Sequence, residues 1–181
     1  MALILNIETS TTICSVSIAK DGKKIIGKES NEKNAHSKIL TVFIEDIFNE
    51  VNLKVKDIDA VAVSKGPGSY TGLRIGVSAA KGIAYGANKP LISVSTLQNM
   101  AYGGKQTLEV NENDLLAPMI DARRMEVYTQ LFDYNLNPLN KINAKIIDEQ
   151  SFVSELEKHK IYFFGDGAMK CQNAIKHKNA I

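Results

Sequence analysis

Several features that mark secreted, membrane-embedded or metal-holding proteins are scarce in this sequence. Its 181 residues include two cysteines, Cys14 and Cys171, which are far apart and match no metal-ligand or disulfide spacing. A disulfide scaffold is therefore excluded, and the two thiols read as small core or surface residues in a reducing compartment. Three histidines, His36, His159 and His177, share no ligand spacing with each other or with a cysteine, so they read as solvated or capping side chains. No apolar run approaches the roughly 18 to 20 residues of a membrane span. The first such run is interrupted by Glu8 and lacks a basic leader before it, which points to a cytoplasmic protein without a membrane segment. Neither sign of charge dominates: 22 Lys and Arg stand against 20 Asp and Glu, and only the last dozen residues lean basic, with Lys170, Lys176 and Lys178. That balance leaves no electrostatic footprint for tight, autonomous nucleic-acid binding.

What is present is a hydrophobic content of 44 %, enough to fill one ordinary core or two small lobes without staples. The most informative segment is residues 65–76, Lys-Gly-Pro-Gly-Ser-Tyr-Thr-Gly-Leu-Arg-Ile-Gly. Gly66 and Gly68 permit φ values that a side chain forbids, and Pro67 stiffens the bend, so the backbone there can approach a ligand, a phosphate or another helix. Beyond the loop, Gly68, Gly72, Gly76, Ala80 and Ala84 recur every four residues and give the predicted helix 70–85 one nearly bare row. Each interior glycine costs about 1 kcal/mol of helix propensity relative to alanine. Close packing along the row must offset that loss, against either the chain's own sheet or another protein.

Residues 2–7 and 13–19 read as strands, and Asp21-Gly22 is a favoured two-residue hairpin turn leading to a third strand over 23–29. A helix over 36–51 carries apolar residues around far more than the ordinary stripe of roughly 100°, so one buried face does not account for all of them. Strands over 58–64 and 90–94 alternate with helices, the second opened by Ser95 as an N-cap. Gly103-Gly104 and the polar stretch to Asp114 read as a lobe boundary, dividing the chain into 1–102 and 103–181. Past it come a hairpin, 115–121 and 125–132, a strand over 141–147, a helix over 149–158 and a strand over 161–164. Ile7-Glu8 and Ile120-Asp121, each followed by a turn and an alternating strand, echo one another as two lobes on one plan would.

Chemistry-bearing residues are few. Glu8 and Asp121 each end an apolar strand at a turn, where two-lobed nucleotide hydrolases place metal-organising carboxylates; both also suit ordinary turn or cap positions. Thr9, Ser10, Thr11 and Thr12 can offer hydroxyls to a phosphate, as hydroxyl-rich turns commonly do without one. The glycine loop lacks the lysine and hydroxyl of a Walker motif and the dinucleotide-binding spacing. Ser69 follows a glycine outside any nucleophile elbow and reads as a helix cap.

Ile7-Glu8-Thr9-Ser10, His36-Ser37, the glycine segment 66–76, Val94-Ser95-Thr96-Leu97 and Ile120-Asp121-Ala122-Arg123 together resemble the TsaB family, also called YeaZ. The resemblance runs through essentially the whole chain. It implies an α/β, actin-like and Hsp70-like ATPase fold of two ribonuclease-H-like lobes with mixed sheets flanked by helices, the second lobe shortened at its C-terminus. It further implies a non-catalytic subunit that binds the threonylcarbamoyl transferase TsaD, works with the ATPase TsaE in tRNA N6-threonylcarbamoyladenosine biosynthesis, and forms a homodimer without TsaD. tRNA is then met only through the complex. The alternative is an actin-like-fold kinase or a peptidase-like enzyme.

Against that alternative, the positions matching the paired metal-binding histidines of TsaD are Thr96 and Met100, and the glycines of the actin-like phosphate turns are replaced by Thr9 and Ala122. No catalytic or metal residue is therefore expected, nor a tightly bound cofactor, although ATP or ADP at an interface shared with the partner is compatible. Such a nucleotide would lie near Glu8, Thr9, Ser10, Gly66, Gly68 and Arg74. The partner interface is expected at Leu40, Phe43, Ile47, Gly72, Ile75, Gly76 and Ala79.

Overall fold

A computed structural model describes residues 1–32 and 35–181. The chain divides into two compact units, 1–95 and 96–181. In the first, strands β1 (Leu3–Glu8), β2 (Cys14–Lys20) and β3 (Lys23–Ser30) run antiparallel, and β4 (Ala60–Ser64) and β5 (Leu91–Val94) extend the sheet parallel to β1 in the order β3-β2-β1-β4-β5. The hairpin between β2 and β3 turns at Asp21 and Gly22, both at positive φ, the geometry whose twist matches paired strands. Helices α1 (His36–Glu50) and α2 (Tyr70–Gly86) cover one face. Period-two alternation puts Leu5, Ile7, Val16, Ile18, Val61 and Val63 under them, where they meet Leu40, Ile44, Ile47 and Phe48 of α1 and Ala80 and Ala84 of α2.

The second unit repeats the plan. Strands β6 (Leu115–Asp121), β7 (Glu126–Thr129) and β8 (Asn143–Ile146) are antiparallel, and β9 (Ile161–Phe164) joins β6 in parallel, giving the order β8-β7-β6-β9. Helix α3 (Thr96–Thr107) packs on the face carrying Leu116, Ile120 and Phe132. Helices α4 (Val153–Leu156) and α5 (Ala168–Cys171) cover the other, where Leu156 and Cys171 meet Ala117, Met119, Val127 and Ile161. Three antiparallel strands followed by a parallel one, in both units, bear out the duplicated mixed-sheet architecture expected from the sequence.

Three local expectations change. Gly103-Gly104 lies inside α3 and marks no boundary: a Cβ on Gly104 would sit 2.6 Å from the Phe164 ring, so this glycine is a packing residue beneath β9. The helix expected over 149–158 shrinks to Val153–Leu156 because Asp148 accepts from Gln150 N at 3.1 Å and from Ser151 Oγ at 2.8 Å. That side-chain-supported turn competes with a helix start, and Phe152, at φ 64°, turns its ring onto Phe163. Ser95 does not cap α3; its Oγ is buried without a hydrogen-bond partner among the described residues.

Candidate functional site

The sequence motifs converge where β1 and β4 end side by side. Ile7 pairs with Val63 in the parallel ladder, which sets Glu8 beside Ser64 at the carboxyl ends of adjacent strands, the place where α/β sheets most often bind ligands. Glu8 Oε1 accepts from Ser10 N at 2.7 Å and from Ser10 Oγ, and its other carboxylate oxygen accepts a short hydrogen bond from Ser64 Oγ. Ser64 was not singled out in the sequence because an isolated serine closing an apolar strand carries no signature there; only the parallel register brings it to Glu8.

The glycine loop and α2 close over this turn. Ser69 caps the helix, accepting from Gly72 N at 3.2 Å, as read from the sequence, while its own N–H donates to Ser10 O at 2.6 Å. Thr9, 1 % exposed, donates its hydroxyl to Gly72 O at 2.8 Å. The glycines are required by this contact. A Cβ would stand 2.3 Å from Ser10 O at Gly68, 2.1 Å from Thr9 O at Gly72 and 2.1 Å from Thr9 Oγ1 at Gly76. The bare row of α2 therefore packs against the chain's own first turn. Gly68 also sits at φ +156°, a backbone open to glycine.

Of the residues expected near a nucleotide, Glu8, Thr9, Ser10 and Gly68 come together. Gly66, at φ +111°, lies against Leu73 instead. Arg74 points outward with its guanidinium 3.8 Å above the Tyr70 ring. The assembled group does not fit a phosphate cradle: the Thr9 and Ser10 hydroxyls are committed to Gly72 and Glu8, and Ser10 fills the space beside Gly68 that an anion would need. His36, only 8 % exposed, braces the same turn by bonding Thr11 O through Nε2 at 3.0 Å; it is a buried strut, where a solvated or capping role was expected.

The expected interface residues separate into two sets. Leu40 and Ile47, 1 % and 0 % exposed, belong to the core, and Gly72 and Gly76 face Thr9; these four have no surface to give. Phe43, Ile75 and Ala79 stay partly exposed at the edge of the same core. In the second unit Thr96 is buried and its hydroxyl has no partner among the described residues. Met100 brings its Cε to within 2.6 Å of where a Cβ on Gly165 would lie. Asp121 is paired with Lys170 and accepts from Arg123 N at 2.7 Å, which holds its carboxyl below the usual range, the Lys170 hydrogen bond being the main cause. Among the described residues, no three His, Cys, Asp or Glu side chains gather as a metal site would require.

Comparison with known proteins places this arrangement. A family model described as TsaD, tRNA N6-adenosine threonylcarbamoyltransferase, matches residues 28–174. The tRNA threonylcarbamoyladenosine biosynthesis protein TsaB of Buchnera aphidicola subsp. Acyrthosiphon pisum is 31 % identical over 155 residues, 82 % of this chain and 68 % of the relative. The chain belongs to the TsaB family. TsaB of Escherichia coli is 40 % identical over 125 residues, 69 % of this chain and 52 % of that protein, so the chain spans about half the length of this relative. The solved structure of YeaZ from Pseudomonas aeruginosa superposes with a TM-score of 0.84 at 22 % identity, covering 98 % of this chain and 82 % of that one. It bears out the TsaB/YeaZ fold over nearly the whole chain.

Proposed function

We propose that this chain is a non-catalytic subunit in tRNA N6-threonylcarbamoyladenosine biosynthesis that binds the transferase TsaD. The observation that carries the reading is the filled turn after β1. In a site built to hold phosphate, the hydroxyls and glycines of that turn face a cleft, whereas here Thr9, Ser10, Gly68 and Gly72 satisfy one another. A scaffold retains the architecture and has no use for the cradle, and the names of the TsaB relatives supply the pathway. Thr96 and Met100, at the positions matched to the TsaD histidine pair, agree with it: neither supplies an imidazole for a metal.

On this reading the chain works in the cytoplasm with TsaD and TsaE, self-associates when TsaD is absent, and meets tRNA only within the complex. Its docking surface is the outward side of α1 and α2. There Val42 is 50 % exposed and Tyr70 and Tyr85 are 70 % and 92 % exposed, with Phe43, Ile75 and Ala79 at the margins. Nucleotide used by the complex is held chiefly by groups the partner contributes. The test is reconstitution: the chain is mixed with TsaD, capture is measured, and tRNA modification is scored with and without it, beside calorimetry of ATP and magnesium against the isolated chain. TsaD capture with restored modification is expected, with ATP affinity far weaker than nanomolar. Failure of TsaD capture, or ATP turnover by the chain alone, overturns the reading.

A further inference from the structure

The exposed face of α2 is chemically one-sided. From Ala60 to Leu108 the sequence contains no aspartate or glutamate, while Lys65, Arg74, Lys81, Lys89 and Lys105 fall within that stretch. On α2 itself Tyr70, Arg74, Lys81 and Tyr85 are all exposed. Spacings of 4, 7 and 4 residues keep them within about 60° of one another on a helix turning 100° per residue. Neither Arg74 nor Lys81 has an ion-pair partner among the described residues. Arg74 is held flat over Tyr70 and also bonds its hydroxyl, so its guanidinium is positioned before any partner arrives. Beside the stripe, Ile75 and Ala79 are partly exposed, and Gly82 has open space where a Cβ would stand.

We infer that this stripe recognises an acidic helix on the partner protein, one presenting carboxylates about seven residues apart to meet Arg74 and Lys81. The inference rests on the TsaD-docking reading and adds the chemistry of the face that docks. Seven residues separate the two cations, two turns or about 10.5 Å along the axis, the spacing at which a second helix packed alongside presents side chains from every second turn. Apolar margins and an open glycine position suit a helix laid along α2. RNA is the poorer occupant. Two cations neutralise two phosphates, and counterion release from so few contacts yields little affinity at physiological salt.

The experiment compares wild type with Arg74→Glu/Lys81→Glu, and with the charge-preserving Arg74→Lys/Lys81→Arg, in TsaD capture at 50 and 500 mM NaCl. Both positions are exposed, so thermal melting is expected to be unchanged in both variants and serves as the folding control. Charge reversal is expected to weaken capture at least about tenfold at low salt, as close charge pairs across interfaces do. The conservative variant retains most of it, and wild-type capture weakens at high salt. If wild type captures TsaD while the reversal changes nothing, the stripe is not the recognition element and the inference fails with the docking reading intact; if wild type captures no TsaD, both fail. If the reversal breaks self-association alone, the acidic face belongs to a second copy; if it abolishes only tRNA retention, the ligand is nucleic acid. Either outcome overturns the inference.

Discussion

Thr9 and Gly72 are locked together through both backbone and side chain: the Thr9 hydroxyl bonds the Gly72 carbonyl at 2.8 Å, and a Cβ on Gly72 would stand 2.1 Å from the Thr9 carbonyl. That contact joins the first turn of the sheet to the first turn of α2. It also offsets the propensity cost, about 1 kcal/mol, of a glycine at position 72 of this 17-residue helix.

Glycine substitutions in α2 should therefore split by position. Gly72→Ala and Gly76→Leu force Thr9 and the β1 turn apart, and each is expected to cost at least about 1 to 3 kcal/mol, the usual range for overpacking. Gly82 has nothing within 4 Å of an added Cβ, so Gly82→Ala should gain about 0.5 to 1 kcal/mol from helix propensity. Urea unfolding of the three variants is the measurement. A Gly76→Leu protein as stable as wild type would mean that the glycine row does not face Thr9.

Glu8 accepts three hydrogen bonds from Ser10 and Ser64, and Ser64 is 5 % exposed. Glu8→Ala strands the Ser64 hydroxyl and is expected to destabilise by about 1 to 3 kcal/mol. Glu8→Gln keeps one acceptor, and its amide can donate to Ser64 in return, so it should lose less. Equal losses would show that the shape Gln retains contributes nothing and that both acceptor oxygens of the carboxylate are needed there.

Most of the architecture was legible because its causes are local. Alternation over 13–19, the Asp21-Gly22 turn, the Ser69 cap and the four-residue small-side-chain row each survive unchanged in the structure. What escaped depends on partners distant in sequence. The direction of the glycine row and the Ser64–Glu8 bond follow from the parallel β1–β4 register, and the burial of Leu40 and Ile47 from the packing of α1 on β2. Gly104 shows the same limit: a Gly-Gly pair reads as a break until Phe164, sixty residues on, takes the space that a side chain would occupy.

Acid should loosen the second unit. Asp121, Asp133 and Asp148 are held below the ordinary aspartate range chiefly by side-chain hydrogen bonds, from Lys170, Asn137 and Ser151 respectively. A carboxyl depressed in the folded state contributes stability that is complete above its unfolded value, near 3.9, and disappears as pH falls through the lower folded value. Stability is thus expected to be flat for these groups above about pH 5 and to fall below about pH 4. Lys170→Met should shallow that acid limb, as read by thermal melts from pH 6 to 3. An unchanged limb would remove Asp121 from the account.

The hairpin between β6 and β7 offers the last test, because it places two consecutive arginines where side chains rarely go. Arg123 and Arg124 have φ of 71° and 46°, in the left-handed region that costs an ordinary L-residue roughly 1 to 2 kcal/mol. Neither side chain repays that cost inside the protein: both are exposed, and neither has an ion-pair partner among the described residues. The turn is held instead by backbone groups, Arg123 N on the Asp121 carboxylate and Glu126 N on Arg123 O at 3.0 Å, and by Lys170, which reaches both Asp121 and Glu126 O. Asn and Gly adopt positive φ readily and keep every one of those backbone bonds. Arg123→Asn/Arg124→Gly is therefore expected to raise stability by about 1 kcal/mol, the glycine's extra freedom in the unfolded chain offsetting part of the relief. Chemical denaturation measures the change. A destabilised variant would place a stabilising interaction on the arginine side chains themselves, and restoring each arginine singly would show which one carries it.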